Sequence, residues 1–415
     1  MTRPACRLCR GVSTERLLDL GVQPLANSIL RPGDLDRQEP MYPLVVQVCL
    51  DCWLVQLEDF ARREEIFHAD YSYFSSFSTS WLEHAARYAT TMIKRLHLGP
   101  ESFVVEVASN DGYLLKNFVA AGIPVLGVEP SDNVAAAAIA IGVPSKITFF
   151  GRNSAADIHE EHGGADLIVC NNVLAHVPDL HDFVGGLAEL LKPDGVITIE
   201  APHLLRLLEQ SQFDTIYHEH YSYFSLSVLQ RLFARFGLEV VDVEELPAHG
   251  GSLRMFVLHQ GVAAPTEAVS RVVAEERAAH LEETDTYIQF QQKVQTVKEE
   301  LLAFLADERE GGRSVVAYGA PAKGNTLLNY CGVGTSEIAF TVDASPHKQG
   351  HLLPGSHLPI RAPQDLLDAK PDTVLILPWN LRDEIMNQMR AVLDWGGHFA
   401  VAVPRLAVLD EGALR

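Results

Sequence analysis

Residues 212–224 read QFDTIYHEHYSYF and bring Tyr217, His218, Glu219, His220, Tyr221 and Tyr223 into one short stretch. Every buried polar group needs a partner, so this density is costly in an ordinary core and suits proton transfer. Two plainer readings stand beside it. One is a solvated loop of His and Tyr; the other is a metal pair at His218-x-His220, which has neither a third ligand nor HExxH spacing. Cys6-x-x-Cys9 and Cys49-x-x-Cys52 belong to a different chemistry. Two thiolate knuckles supply four soft ligands in a tetrahedron, the geometry of structural zinc. Four protein ligands leave no open position, so the metal is expected to staple and not to catalyse. Cys170 and Cys331 stand apart and read as small core residues.

A third set of residues asks for a nucleoside. Residues 103–112 read FVVEVASNDG and residues 125–131 read VLGVEPS. This is a buried strand, a small-residue turn, a helix over 113–121 and a second strand ending in Glu129. In α/β folds such a turn lets the backbone approach a ligand, and the acid accepts hydrogen bonds from ribose hydroxyls. The turn Ala108-x-Asn110-x-Gly112 departs from G-x-G-x-x-G, leaves little room for a pyrophosphate and adds Asp111. It favours the cationic, phosphate-free S-adenosylmethionine over NAD, the plain alternative being a βα turn with no ligand. Expected cofactor contacts are Glu106, Ala108, Asn110, Gly112, Glu129 and Pro130. A third strand over 147–150 would bring Phe149 or Phe150 onto the adenine. A fourth over 166–172 would leave Asn172 and His176 beyond its carboxyl end, where open α/β sheets bind ligands. Tyr71 and Tyr73 alternate in the aromatic stretch 66–80, which either offers phenols to a ligand or packs as a linker.

The rest of the chain must position these groups. At 415 residues it is long for a single core, so two or three domains are expected. A net charge of −21 argues against a nucleic-acid partner, although one basic pocket would still hold a sugar nucleotide. No apolar run approaches 18 residues and the first residues lack an apolar signal, so a cytoplasmic protein without membrane contact is expected. Strands are expected over 18–25 and 41–48 and a helix over 81–96. A helix over 187–191 should stop at 192–195 before a fifth strand over 196–200. A helix over 226–237 precedes strands 238–246 and 252–260, joined at His249-Gly250-Gly251. Residues 266–310 read as a charged helical connector, with Glu275, Glu276, Glu282 and Glu283 on solvated faces. A second βα unit opens at 314–319 with G-x-P-x-K-G over 319–324, and its next strand ends in Asp343. Lys323, at a helix N-terminus, suits an anion. Strands over 374–377 and 398–403 complete that unit.

The ordered set of Cys-x2-Cys pairs, EVASNDG, NNVLAHVP, YHEHYSYFS and AYGAPAKGN resembles the bacterial sugar C-methyltransferases. These build branched deoxysugars such as mycarose-, evernitrose- and tetronitrose-type units, and the resemblance covers essentially the whole chain. It implies an α/β protein with a class I S-adenosylmethionine methyltransferase core, a small N-terminal zinc-binding domain and a C-terminal Rossmann-like lobe. Boundaries are expected at 1–75, 76–265 and 266–415, in a monomer. The partner implied is a thymidine-diphosphate 4-keto deoxysugar, methylated at C3 through an enolate. Departures from the family pattern are Ala108 for glycine, Thr148 where an acid commonly faces the adenine amine, and His218 at a usually acidic position.

The resemblance places the family's Tyr-x-Glu-His cluster on Tyr217, Glu219 and His220, and its histidine after the fourth strand on His176. A ketone's α C–H is weakly acidic, so a base must meet it and the oxyanion must be stabilised. His220 is the expected base, Glu219 its orienting partner, Tyr217 the donor to the C4 oxygen and His176 the second candidate base. Lys323, Asn325 and His249 are expected to hold the sugar nucleotide. Two rivals remain: an O- or N-methyltransferase with the same core, and a zinc-containing binding module without activity.

Overall fold

A computed structural model describes residues 5–58, 74–77, 79–410 and 412. The strands are β1 (Thr14–Gln23), β2 (Tyr42–Cys49), β3 (Val55–Leu57), β4 (Val104–Val107), β5 (Val125–Val128), β6 (Ser145–Lys146), β7 (Ala165–Asn171) and β8 (Leu191–Pro202). They continue with β9 (Ser222–Tyr223), β10 (Leu238–Leu246), β11 (Ser252–His259), β12 (Val315–Tyr318), β13 (Thr341–Val342), β14 (Ile360–Arg361), β15 (Thr373–Ile376), β16 (His398–Val401) and β17 (Ala407–Leu409).

The seven-stranded sheet runs β10-β11-β8-β7-β4-β5-β6. β4 through β8 pair in parallel and β11 enters antiparallel to both neighbours. β4 is flanked by β5 on one side and β7 on the other, so the winding reverses there and opens a crevice at its carboxyl end. The six-stranded sheet, β14-β13-β12-β15-β16-β17, repeats this arrangement around β12. Its loop after β12 carries Gly319, and Lys323 lies in the first turn of the helix Ala322–Cys331 that follows.

The four-stranded antiparallel sheet is β1-β2-β3-β9, and its last strand is recruited from the stretch between β8 and β10 of the seven-stranded unit. That recruitment pins the reactive stretch. Leu57 N–H donates to the Tyr221 carbonyl at 3.0 Å, and the buried Arg7, between two of the cysteines, donates to the same oxygen at 3.2 Å. One hydrophobic core joins Leu17, Val46 and Leu57 to Phe213, Phe290 and Leu328, so these sheets close over a shared interior.

Four expectations are corrected. The third strand of the nucleoside unit falls at Ser145–Lys146, registered by Gly127↔Ser145, and not over 147–150. Ile147 is 48% exposed, so the apolar run there is not a buried pleat. Residues 192–195 are not a stop but the opening of β8, which starts directly after the Leu180–Leu190 helix. Gly195 permits this, because a Cβ there would meet the Ala165 carbonyl oxygen at 2.7 Å. The connector over 266–310 is two helices, Glu267–Ala278 and Thr284–Glu310. Lastly, Glu276 is 1% exposed and not solvated. It shares a helical stripe with buried Val269 and Val272 and accepts from His203 Nε2 at 2.8 Å and Ser227 N at 3.0 Å.

Candidate functional site

The crevice beyond β4 is a pocket of about 170 Å³ lined by Ala108, Asn110, Glu129, Pro130, Phe149, Phe150 and Asn172. The turn that makes it is conformationally unusual. Ala108 and Asn110 stand at φ 57° and 50°, and Gly112 at 77°. A Cβ on Gly112 would lie 3.0 Å from Val143, so glycine is required there for space as well as for backbone. Glu129 closes the turn, Oε2 accepting from Asn110 N at 3.1 Å and Oε1 from Ser131 N at 2.9 Å. Burial raises its pKa against these bonds. Glu106 and Gly112 support the pocket without lining it. Burial, then the nearby Asp111 and Glu129 carboxylates, push Glu106 well above the usual carboxylate range.

Phe150 packs edge-on against Phe183, with ring centroids 5.4 Å apart. Tyr71 and Tyr73 lie outside the described residues. Sequence reasoning missed Trp81, Tyr113 and Asn171 as lining residues. Asn171 is buried and its amide oxygen and nitrogen have no hydrogen-bond partner among the described residues, so they are available to a polar ligand. It was concealed as the last apolar-run position of β7, one residue before Asn172. An acid for ribose, aromatic rings and uncommitted amide groups around a phosphate-poor turn fit the polar and aromatic parts of S-adenosylmethionine.

Asn172 and His176 also line a second cavity of about 290 Å³, together with Tyr217, Glu219, His220, His249 and Lys323. The two cavities therefore share a wall. His220 is held at both ring nitrogens: Nδ1 lies 2.8 Å from the Thr215 carbonyl oxygen and Nε2 lies 2.8 Å from the Tyr217 hydroxyl. A carbonyl only accepts, so Nδ1 carries the proton and Nε2 presents the lone pair, to which Tyr217 donates. Burial, then the neighbouring His176, lowers the His220 pKa well below the usual value. The His176 ring packs edge-on at 4.6 Å, and burial lowers its pKa to about 4.

Two site expectations change. Among the described residues Glu219 makes no hydrogen bond to His220; its carboxylate accepts from Asn27 Nδ2 at 2.6 Å, while the Thr215 carbonyl orients the ring. Asn325 is buried behind the cavity wall, reaching Ala26 O at 3.4 Å, and does not line the cavity. Lys323 faces the histidines, its Nζ donating to Asn380 Oδ1 at 2.8 Å. His249 does line the cavity, with Nε2 3.3 Å from Asn172 Nδ2. His218 turns the other way, its Nε2 3.2 Å from Pro43 O, so the two histidines do not form a metal pair. A third cavity of about 620 Å³, bordered by Arg87, His84 and Lys348, adjoins through His249 and Asn380.

The four cysteine sulfurs lie within 4.8 Å of one another, with Cys6–Cys52 and Cys9–Cys49 each at 3.5 Å. A tetrahedron with zinc–sulfur bonds of about 2.3 Å has edges of about 3.8 Å, so the donor set fits zinc. Gly11 N–H points at Cys9 Sγ at 3.3 Å, a contact that favours a thiolate.

Three family models match the sequence: "Putative zinc binding domain" over residues 6–67, "Methyltransferase domain" over 81–243 and "C-methyltransferase C-terminal domain" over 247–404. The C-methyltransferase NovU of Streptomyces niveus is 37% identical over 98% of this chain and 96% of its own. A ubiquinone biosynthesis O-methyltransferase of Rhodopseudomonas palustris is 27% identical over 23% of this chain and 38% of its own. Among solved structures, magnesium protoporphyrin IX methyltransferase from Synechocystis with bound SAM is 12% identical, covering 44% of this chain and 79% of that one, with a TM-score of 0.33.

Proposed function

The chain belongs to the C-methyltransferase family as an S-adenosylmethionine-dependent enzyme with a zinc-binding segment, and from this premise we propose that it methylates C3 of a nucleotide-activated 4-keto deoxysugar. The observation that carries the reading is the wall shared by the cofactor pocket and the histidine cavity, Asn172 and His176. A methyl donor held in the first pocket would lie beside a base in the second.

S-adenosylmethionine, held by the pocket around Glu129, would supply an electrophilic methyl group with a neutral thioether as leaving group. Within the cavity, His220 Nε2 takes the proton from C3, and the C–H electron pair becomes the enolate. The Tyr217 hydroxyl, released as Nε2 accepts that proton, turns its donor to the C4 oxygen. C3 then forms its bond to the methyl carbon. Positioning against a fixed base accounts for much of the rate, because both partners are held before the proton moves. The third cavity, with Arg87 and Lys348 at its border, has the size and positive groups for the nucleotide diphosphate. Zinc held by Cys6, Cys9, Cys49 and Cys52 would staple the segment whose Arg7 holds the Tyr221 carbonyl.

Incubation with methyl-labelled S-adenosylmethionine and a panel of thymidine-diphosphate 4-keto deoxysugars tests this. Label is expected on carbon at C3. Label on oxygen or nitrogen contradicts the C3 reading.

A further inference from the structure

Asp214 is a fully buried carboxylate with no role in the chemistry above. It sits in the turn Phe213–Thr215, whose last carbonyl orients His220. Its Oδ2 accepts from Trp379 Nε1–H at 2.7 Å. The face of the same indole carries Lys323 Nζ, 4.8 Å from the ring centroid. Trp379 packs closely on Gly250, where an added Cβ would come within 2.4 Å of its Cη2, and Gln212 Nε2 ties the Gly250 carbonyl at 2.6 Å. Burial raises the Asp214 pKa to about 6, so above that pH an anion and a cation are joined through an aromatic spacer. A carboxylate on the N–H end enriches the ring face, which strengthens its hold on an ammonium.

Among the described residues, the other titratable groups lining this cavity with Lys323 are His176, His220, His249, Tyr217, Glu219 and Lys348. Burial keeps the three histidines uncharged near neutral pH. Glu219 is engaged by Asn27, and Lys348 Nζ donates to Ala320 O at 2.8 Å. Burial lowers the Lys323 pKa and the Asp214 charge opposes that. A neutral amine would stabilise an oxyanion far less than an ammonium does.

We propose that Asp214 is a positioning residue for Lys323, holding its ammonium charged and aimed at the ketone oxygen that turns negative as the α C–H bond breaks. This rests on the C-methylation reading. It gives Lys323 a place beside the reacting carbonyl in addition to Tyr217, and it gives one buried turn control of both the base and the cation.

The test is an NMR titration of enzyme carrying ¹³C at the lysine Cε and loaded with S-adenosylhomocysteine. The Lys323 signal is assigned by its loss in Lys323→Met. Asp214→Asn keeps an oxygen for Trp379 N–H and removes only the charge. Its Lys323 midpoint should fall by about one pH unit or more. The alkaline limb of methyl transfer should move down by the same amount, with less change at lower pH. An unmoved midpoint, or a rate that drops by one factor at every pH, overturns the proposal. Should Asp214→Asn fail to fold, Trp379→Phe keeps the ring and loses the N–H, and its Lys323 midpoint must move in the same direction; an unmoved value again overturns it. The titration needs no acceptor, so its failure differs from that of the C-methylation reading, which would show as absent label at C3 in the wild type.

Discussion

Replacing Glu129 separates what its carboxylate does for the turn from what it does for the cofactor. Both oxygens are committed to backbone, one to Asn110 N–H and one to Ser131 N–H, and the side chain is buried. Glu129→Ala leaves two buried N–H groups unpaired, at about 1–3 kcal/mol each. Removing an anion that burial already disfavours returns part of this, so a net loss of about 2–4 kcal/mol in stability is expected. Glu129→Gln keeps one acceptor and should lose about 1–3 kcal/mol. On the proposed cofactor reading, either change should also remove a charged acceptor for ribose, worth about 1.5–3 kcal/mol, or about 10- to 150-fold in Kd. The sign with pH follows from the raised pKa. Wild-type affinity is complete while Glu129 is ionised and falls as it protonates, at a higher pH than a free carboxylate would; Glu129→Gln should lose that dependence. Calorimetry with S-adenosylhomocysteine, beside urea unfolding, reads both effects. Glu129→Gln binding within twofold of wild type, with an unchanged pH profile, would remove Glu129 from the cofactor site.

Cys6→Ser should release the metal and loosen the β1–β3 sheet; native mass spectrometry should find one zinc per wild-type chain, and none in chelator-free protein contradicts the four-cysteine centre. His176 and His249 are held at about 4 by burial against an ordinary 6.5. The unfolded chain therefore binds more protons between these values, and each histidine's contribution, full above pH 6.5, falls by about 2 kcal/mol by pH 5. Urea midpoints that stay flat over that range contradict this burial. Glu276→Ala should cost about 3–5 kcal/mol, because it leaves His203 and the Leu226–Ala234 helix start without their shared carboxylate. A loss under about 1 kcal/mol would return Glu276 to a solvated face.

The parts of the fold readable in sequence are those that rest on local pattern. β4, β5 and the Ala108–Gly112 turn follow from a β-branched run and small residues, and the four cysteines from spacing alone. What failed to show depends on partners distant in the chain. Thr215 orients His220 through a backbone carbonyl, which no side-chain motif records. Glu276 looks like any exposed helical acid until His203 and the Leu226–Ala234 helix pack against it. Asp214 is an unremarked acid until Trp379 and Lys323 arrive from another sheet. Lys323 itself was legible as a cation at a βα turn, but only the packing of the lobes aims it at histidines.

Deuterium wash-in is the most direct test of the central claim, that His220 removes an α-carbon proton. Wild-type enzyme in heavy water, with S-adenosylhomocysteine and a thymidine-diphosphate 4-keto deoxysugar, should exchange hydrogen at C3 without methyl transfer. His220→Asn should slow that exchange by about 10²- to 10⁴-fold while both ligands still bind. Normal exchange in His220→Asn with loss in His176→Asn would transfer the base to His176, and no exchange in the wild type would contradict the enolate mechanism.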